Sequence, residues 1–90
     1  MDFEWNEQKR LGNIEKHGVD FIDVVRVFEG RVKIIEETGR DYGEPRYGVF
    51  GEFNGVVFYL VYTPRGEKFR IITARRAGRR EREEYYQSIA

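Results

Sequence analysis

The chain has 90 residues, which suits one domain spanning residues 1–90 and leaves no room for two. Hydrophobic residues make up 40% and charged residues 36%, and the absence of cysteine excludes disulfides, zinc–thiolate sites, iron–sulfur clusters and cysteine nucleophiles. Net charge is zero, yet the two signs are segregated: residues 1–64 carry −4, residues 65–82 carry +6 and residues 83–90 carry −2.

Asn6 is placed to cap a first helix running to Lys16 or His17, with Gly18 where a left-handed terminal residue belongs. Leu11 and Ile14 are its clear apolar positions, and Lys9, Asn13, Lys16 and His17 share a polar face. Asp20 opens a second helix to about Phe28, with Phe21, Val24, Val25 and Phe28 forming an apolar stripe. Four strands are predicted next: Val32–Glu36, Arg46–Phe53, Val56–Thr63 and Lys68–Ala74. Glycines 48 and 51 inside the second strand signal a bulge or a close backbone approach. Asn54-Gly55 reads as a two-residue hairpin turn and Pro64-Arg65-Gly66 as another turn, so the strands form an antiparallel meander. Residues 78–89 form a last helix. The expected fold is α+β: two N-terminal helices, a four-stranded antiparallel sheet and a C-terminal helix, in two layers with the helices on one face.

The longest apolar run, Val56 to Tyr62, is far short of the about 20 residues of a membrane helix. The acidic start, Met1-Asp2-Phe3-Glu4-Trp5, does not read as a secretory leader. A soluble, cytoplasmic chain with no membrane partner is expected.

Chemistry concentrates in the basic segment. Strict alternation along the fourth strand puts Phe69, Ile71 and Thr73 on one face, and Lys68, Arg70, Ile72 and Ala74 on the other. Arg75 and Arg76 follow, and Arg79, Arg80 and Arg82 start the last helix, so several guanidiniums meet near a strand-to-helix junction. Guanidinium forks match phosphate bidentately, and fixed cations stabilise the extra charge of a phosphoryl transition state. The same residues also suit a solvated helix face paired with Glu81, Glu83 and Glu84. His17 is the only histidine and the one side chain whose ordinary titration range lies near neutrality, which suits acid–base work. Glu44-Pro45-Arg46-Tyr47 opens the second strand and adds Arg46 to the basic surface. The carboxylates show no metal-binding spacing, and neither metal nor other cofactor is expected.

Several blocks stand in order over nearly the whole chain: Phe3-Glu4-Trp5-Asn6-Glu7, Lys9, Asn13, Lys16-His17-Gly18-Val19, Phe21, Val27-Phe28, Glu44-x-Arg46-Tyr47 and Val61-Tyr62. Arg70-Ile71-Ile72-Thr73-Ala74-Arg75-Arg76-Ala77, Glu81-Arg82 and Tyr85 follow. Together these blocks resemble the BrnT toxin family. Relatives often carry Ser where this chain has Thr73, a swap that keeps the hydroxyl.

The resemblance implies a RelE-like ribonuclease toxin of a type II toxin–antitoxin module. It also implies a BrnA-like ribbon-helix-helix antitoxin, with operator DNA bound only through the toxin–antitoxin complex. The expected reaction is metal-independent attack of an RNA 2′-OH on the adjacent phosphate, which inhibits translation and growth. His17 or Glu81 is the expected base, Tyr85 an expected acid, and Arg70, Arg75 and Arg82 the phosphate cations, with Lys9 in support. Arg46, Arg76, Arg79 and Arg80 are expected to bind RNA. Two other readings of the basic segment are a non-catalytic nucleic-acid-binding module and a dock for an acidic protein partner.

Overall fold

In the computed structural model, which describes residues 2–38 and 41–90, each chain-local signal has a visible cause. The Asn6 side chain accepts the Lys9 N–H at 3.1 Å and starts α1 (Glu7–His17), and Gly18, at φ +69°, ends it. Asp20 accepts the Ile22 N–H at 3.0 Å and starts α2 (Phe21–Val24), which tightens at once into a 3₁₀ turn, Val25–Glu29. The second helix is therefore one α-turn followed by 3₁₀ geometry. The central hairpin turns on Asn54 and Gly55, both at positive φ.

The sheet departs from the expected one in three ways. It has five strands: β1 (Asp2–Glu4), β2 (Val32–Glu36), β3 (Tyr47–Phe53), β4 (Val56–Arg65) and β5 (Lys68–Arg76), in the order β1-β5-β4-β3-β2. It is mixed, because β1 pairs parallel to β5, with Phe3 opposite Phe69 and Glu4 opposite Arg70. β1 is only three residues long, and nothing local marks it as a strand; its pairing with β5 makes it one.

The third departure is a bulge. Val61 pairs with Thr73 but Tyr62 pairs with Ile71, which leaves Ile72 without an opposite residue. Strict alternation along β5 therefore fails. Ile71 and Ala74, three residues apart, both face the core.

Helices cover both faces, so the expected two-layer arrangement is also corrected. Val49, Leu60, Tyr62, Ile71 and Ala74 pack under Val19, Phe21, Val24 and Val27 from the α1–α2 side. A smaller cluster, Val57, Ala77 and Tyr85 with Phe50 and Ile89 beside it, lies under α3 (Arg79–Ile89) on the opposite face. Gly51 lets the 3₁₀ turn close onto β3, since a Cβ there would lie 2.7 Å from Val27 Cβ. No helix among the described residues is long and apolar enough to cross a membrane.

Asn13, expected on a polar face, is buried, while Leu11 is exposed. Its carboxamide donates to the carbonyls of Val19 (2.9 Å) and Ala74 (2.8 Å) and accepts the Ala74 N–H at 3.1 Å. The Thr73 hydroxyl donates to it as well. Beyond the reach of β1, Asn13 thus satisfies the outer edge of β5 as a neighbouring strand would, and locks α1 along that strand.

Candidate nucleic-acid interface

α3 covers one end of its face of the sheet, and the rest of that face carries the polar groups of interest. Arg75 stands opposite Tyr59 in the β4–β5 register, and its guanidinium carbon lies 4.8 Å from the Tyr59 ring centroid. Tyr59 is itself held. Its ring packs against Phe50 at 4.5 Å, and its hydroxyl end lies across Gly48, where a Cβ would come within 2.1 Å of the oxygen. Only glycine at 48 leaves room for that ring.

Arg75 donates to both oxygens of Glu81, at 2.8 and 2.9 Å. Glu81 is the third residue of α3, and its carboxylate also accepts the Gly78 N–H at 2.8 Å, capping the helix. The Arg75 hydrogen bonds hold the Glu81 carboxyl down at about 2, against the opposing pull of burial and with help from Gly78. The same pair, chiefly its hydrogen bonds, raises Arg75. Glu81 is therefore a carboxylate at every physiological pH and, while clamped, a weak base. Arg82, one residue on, donates to the Ala77 carbonyl at 3.3 Å, so its guanidinium stays at the same strand-to-helix junction.

Arg46 marks the far rim of this face. Glu37 N–H donates to Arg46 O at 2.9 Å, which continues the β2–β3 ladder and puts Arg46 on the same face as Gly48. Its guanidinium stacks on Tyr42 at 3.8 Å, and its Nε is buried with no hydrogen-bond partner.

The expected cluster is divided by this geometry. Arg75 and Glu81 come together, and Arg82 is held at the Ala77 carbonyl of the same junction. Arg76 falls on the opposite face, opposite Phe58, where it lines a groove with Asp20, Asp23 and Phe53. Arg70 is ion-paired to its cross-strand neighbour Glu4 at 2.7 Å. Arg79 and Arg80 are highly exposed and pair along α3 with Glu83 and Glu84, which is the solvated-helix reading. Lys9 is exposed on α1, and His17 is the last residue of α1. Among the described residues no hydrogen bond joins either to the Arg75–Glu81 pair. Tyr85 is buried and donates to the Arg31 carbonyl at 2.7 Å, which makes it part of the core beneath α3, and burial raises its hydroxyl. Tyr59, and Gly48, which the sequence marks as a close backbone approach, are members of the site that sequence reasoning did not assign to it. The glycine inside a strand was the available signal, but its partner across the sheet becomes visible only with the register.

A family model described as the ribonuclease toxin BrnT of a type II toxin–antitoxin system matches residues 5–81. A comparison with curated proteins finds no match.

Proposed function

The chain belongs to the BrnT family of type II toxin–antitoxin ribonuclease toxins, and from that premise we propose that it cleaves RNA without a metal ion, on the open sheet face around Arg75. The observation that carries this reading is the Arg75–Glu81 clamp seated on Tyr59. A carboxylate there occupies the bidentate site that a phosphodiester would take.

In this mechanism the scissile phosphate displaces Glu81 from Arg75. Arg75 and Arg82 then stabilise the added negative charge of the pentavalent transition state. Release from Arg75 removes the main cause of the depressed Glu81 titration, so the freed carboxylate becomes a stronger base and takes the 2′-OH proton. The 2′-oxygen bonds to phosphorus, the bond to the 5′-oxygen breaks, and the products are a 2′,3′-cyclic phosphate and a 5′-hydroxyl. We assign the proton for the leaving oxygen to His17, at the end of the helix that Asn13 fixes along β5. Arg46, on the rim, contacts RNA beyond the scissile bond. Arg70, held by Glu4, and Lys9 add positive field at longer range.

Membership of a type II toxin–antitoxin family implies an antitoxin partner. We propose a BrnA-like ribbon-helix-helix antitoxin, which alone brings the complex to operator DNA, and action on RNA in the cytoplasm. The test is incubation of the purified chain with a short RNA in excess chelator, beside Arg75→Ala. Cleavage that survives chelation and is lost in the folded variant supports the proposal. Salt-sensitive binding with intact RNA would replace it with a non-catalytic RNA-binding module.

A further inference from the structure

The two edges of the sheet are treated differently. At one, β1 is three residues long, and Asn13 satisfies the β5 backbone beyond it. At the other, β2 is the last strand, and Ile34 and Ile35 are 50% and 39% exposed. The Glu37-to-Arg46 hydrogen bond fixes which backbone groups are used. Lys33, Ile35 and Glu37 turn their N–H and C=O groups toward β3, and Val32, Ile34 and Glu36 turn theirs outward. An outward row of that kind accepts another strand.

The side chains specify which strand. Lys33, Ile35 and Glu37 share one face of the edge strand, which reads basic, apolar, acidic. Neither Lys33 nor Glu37 forms an ion pair among the described residues. That face is complementary to itself when reversed. We propose that β2 pairs antiparallel with β2 of a second copy of this chain, about a two-fold axis through Ile35, joining two five-stranded sheets into one.

The register follows from the backbone. Ile34 and Glu36 of one copy exchange hydrogen bonds with Glu36 and Ile34 of the other, using the outward groups. Ile35 meets Ile35, and Lys33 meets Glu37 twice, in the non-hydrogen-bonded positions where opposite side chains approach most closely. Shifting the register by two residues would put Lys33 opposite Ile35 and lose both ion pairs. The contact is short, so it belongs with weak, transient interfaces.

The test is sedimentation of the full chain from about 10 μM to about 1 mM, the range expected of a weak association. The weight-average mass should rise from 10.8 kDa toward the dimer value. Ile35→Lys should abolish the rise. Lys33→Glu alone and Glu37→Lys alone should each weaken association about tenfold or more, since each sets like charges opposite one another. The double variant Lys33→Glu/Glu37→Lys should restore it, because the charges are then exchanged but still paired. Far-UV circular dichroism checks that these edge variants fold. A chain that stays monomeric throughout, or a dimer indifferent to the single swaps, would overturn the proposal. Outward amides of β2 that become protected from exchange only when an antitoxin is added would also overturn it, in favour of a strand from that partner. The outcome does not depend on whether the chain cleaves RNA.

Discussion

Replacing Glu81 by Gln exchanges one carboxylate oxygen for an amide and removes the charge that clamps Arg75. The remaining oxygen can still accept the Gly78 N–H, so the start of α3 is retained. The amide nitrogen, a donor, cannot accept from the guanidinium, so Arg75 loses one of its two hydrogen bonds and its countercharge, and keeps at most a neutral hydrogen bond to the oxygen that also accepts the Gly78 N–H. Arg75 and Glu81 are 40% and 32% exposed, so water screens the lost pair, and the cost to stability is about 1 kcal/mol.

The pH dependence follows from the depressed titration of Glu81. Its contribution is fully present above the ordinary carboxylate value of 4.5 and is lost as pH falls through about 2. The stability gap between the wild type and Glu81→Gln should therefore be constant near neutrality, narrow in moderate acid and close in strong acid, as followed by urea unfolding. RNA binding should tighten, and its salt slope should grow by about 0.7, because one more cation is free for phosphate. Single-turnover cleavage should fall by about 10²–10⁴, the typical contribution of a general base. A variant that cleaves at the wild-type rate would refute Glu81 as the base. A variant that binds RNA no better would refute the clamp as a reserved phosphate site.

Other substitutions separate framework from chemistry. Asn13→Leu leaves the buried N–H and C=O of Ala74 without partners and should cost about 2–4 kcal/mol in urea unfolding. Gly48→Ala drives a Cβ into the Tyr59 ring, and should cost about 1–3 kcal/mol while also lowering cleavage by the folded fraction, because Arg75 rests on that ring. Gly51→Ala meets Val27 on the other face and should destabilise comparably with cleavage by folded protein unchanged. Tyr85→Phe loses the hydrogen bond to the Arg31 carbonyl and should cost about 1 kcal/mol, again with cleavage by folded protein unchanged.

Signals carried within a few residues of sequence determined much of this protein. Asn6, Gly18, Asp20 and Asn54-Gly55 act through hydrogen bonds and backbone angles confined to their own turns, so helix caps and the central hairpin were legible from residue type alone. The basic segment at 65–82 was legible for the same reason, as charge is a property of composition. Tertiary structure decided where those charges point. The unpaired Ile72 shifts the alternation of β5, and the strand register then sets Arg75 opposite Tyr59 and Arg76 opposite Phe58, on opposite faces. β1 is a strand only because β5 lies beside it, and Asn13 is buried only because the edge of β5 needs a donor and an acceptor there. Pairings between residues some 60 positions apart, as between β1 or Asn13 and β5, leave no local periodicity to read, and the bulged register of β5 on β4 divides the strand arginines between a clamp on one face and a groove on the other.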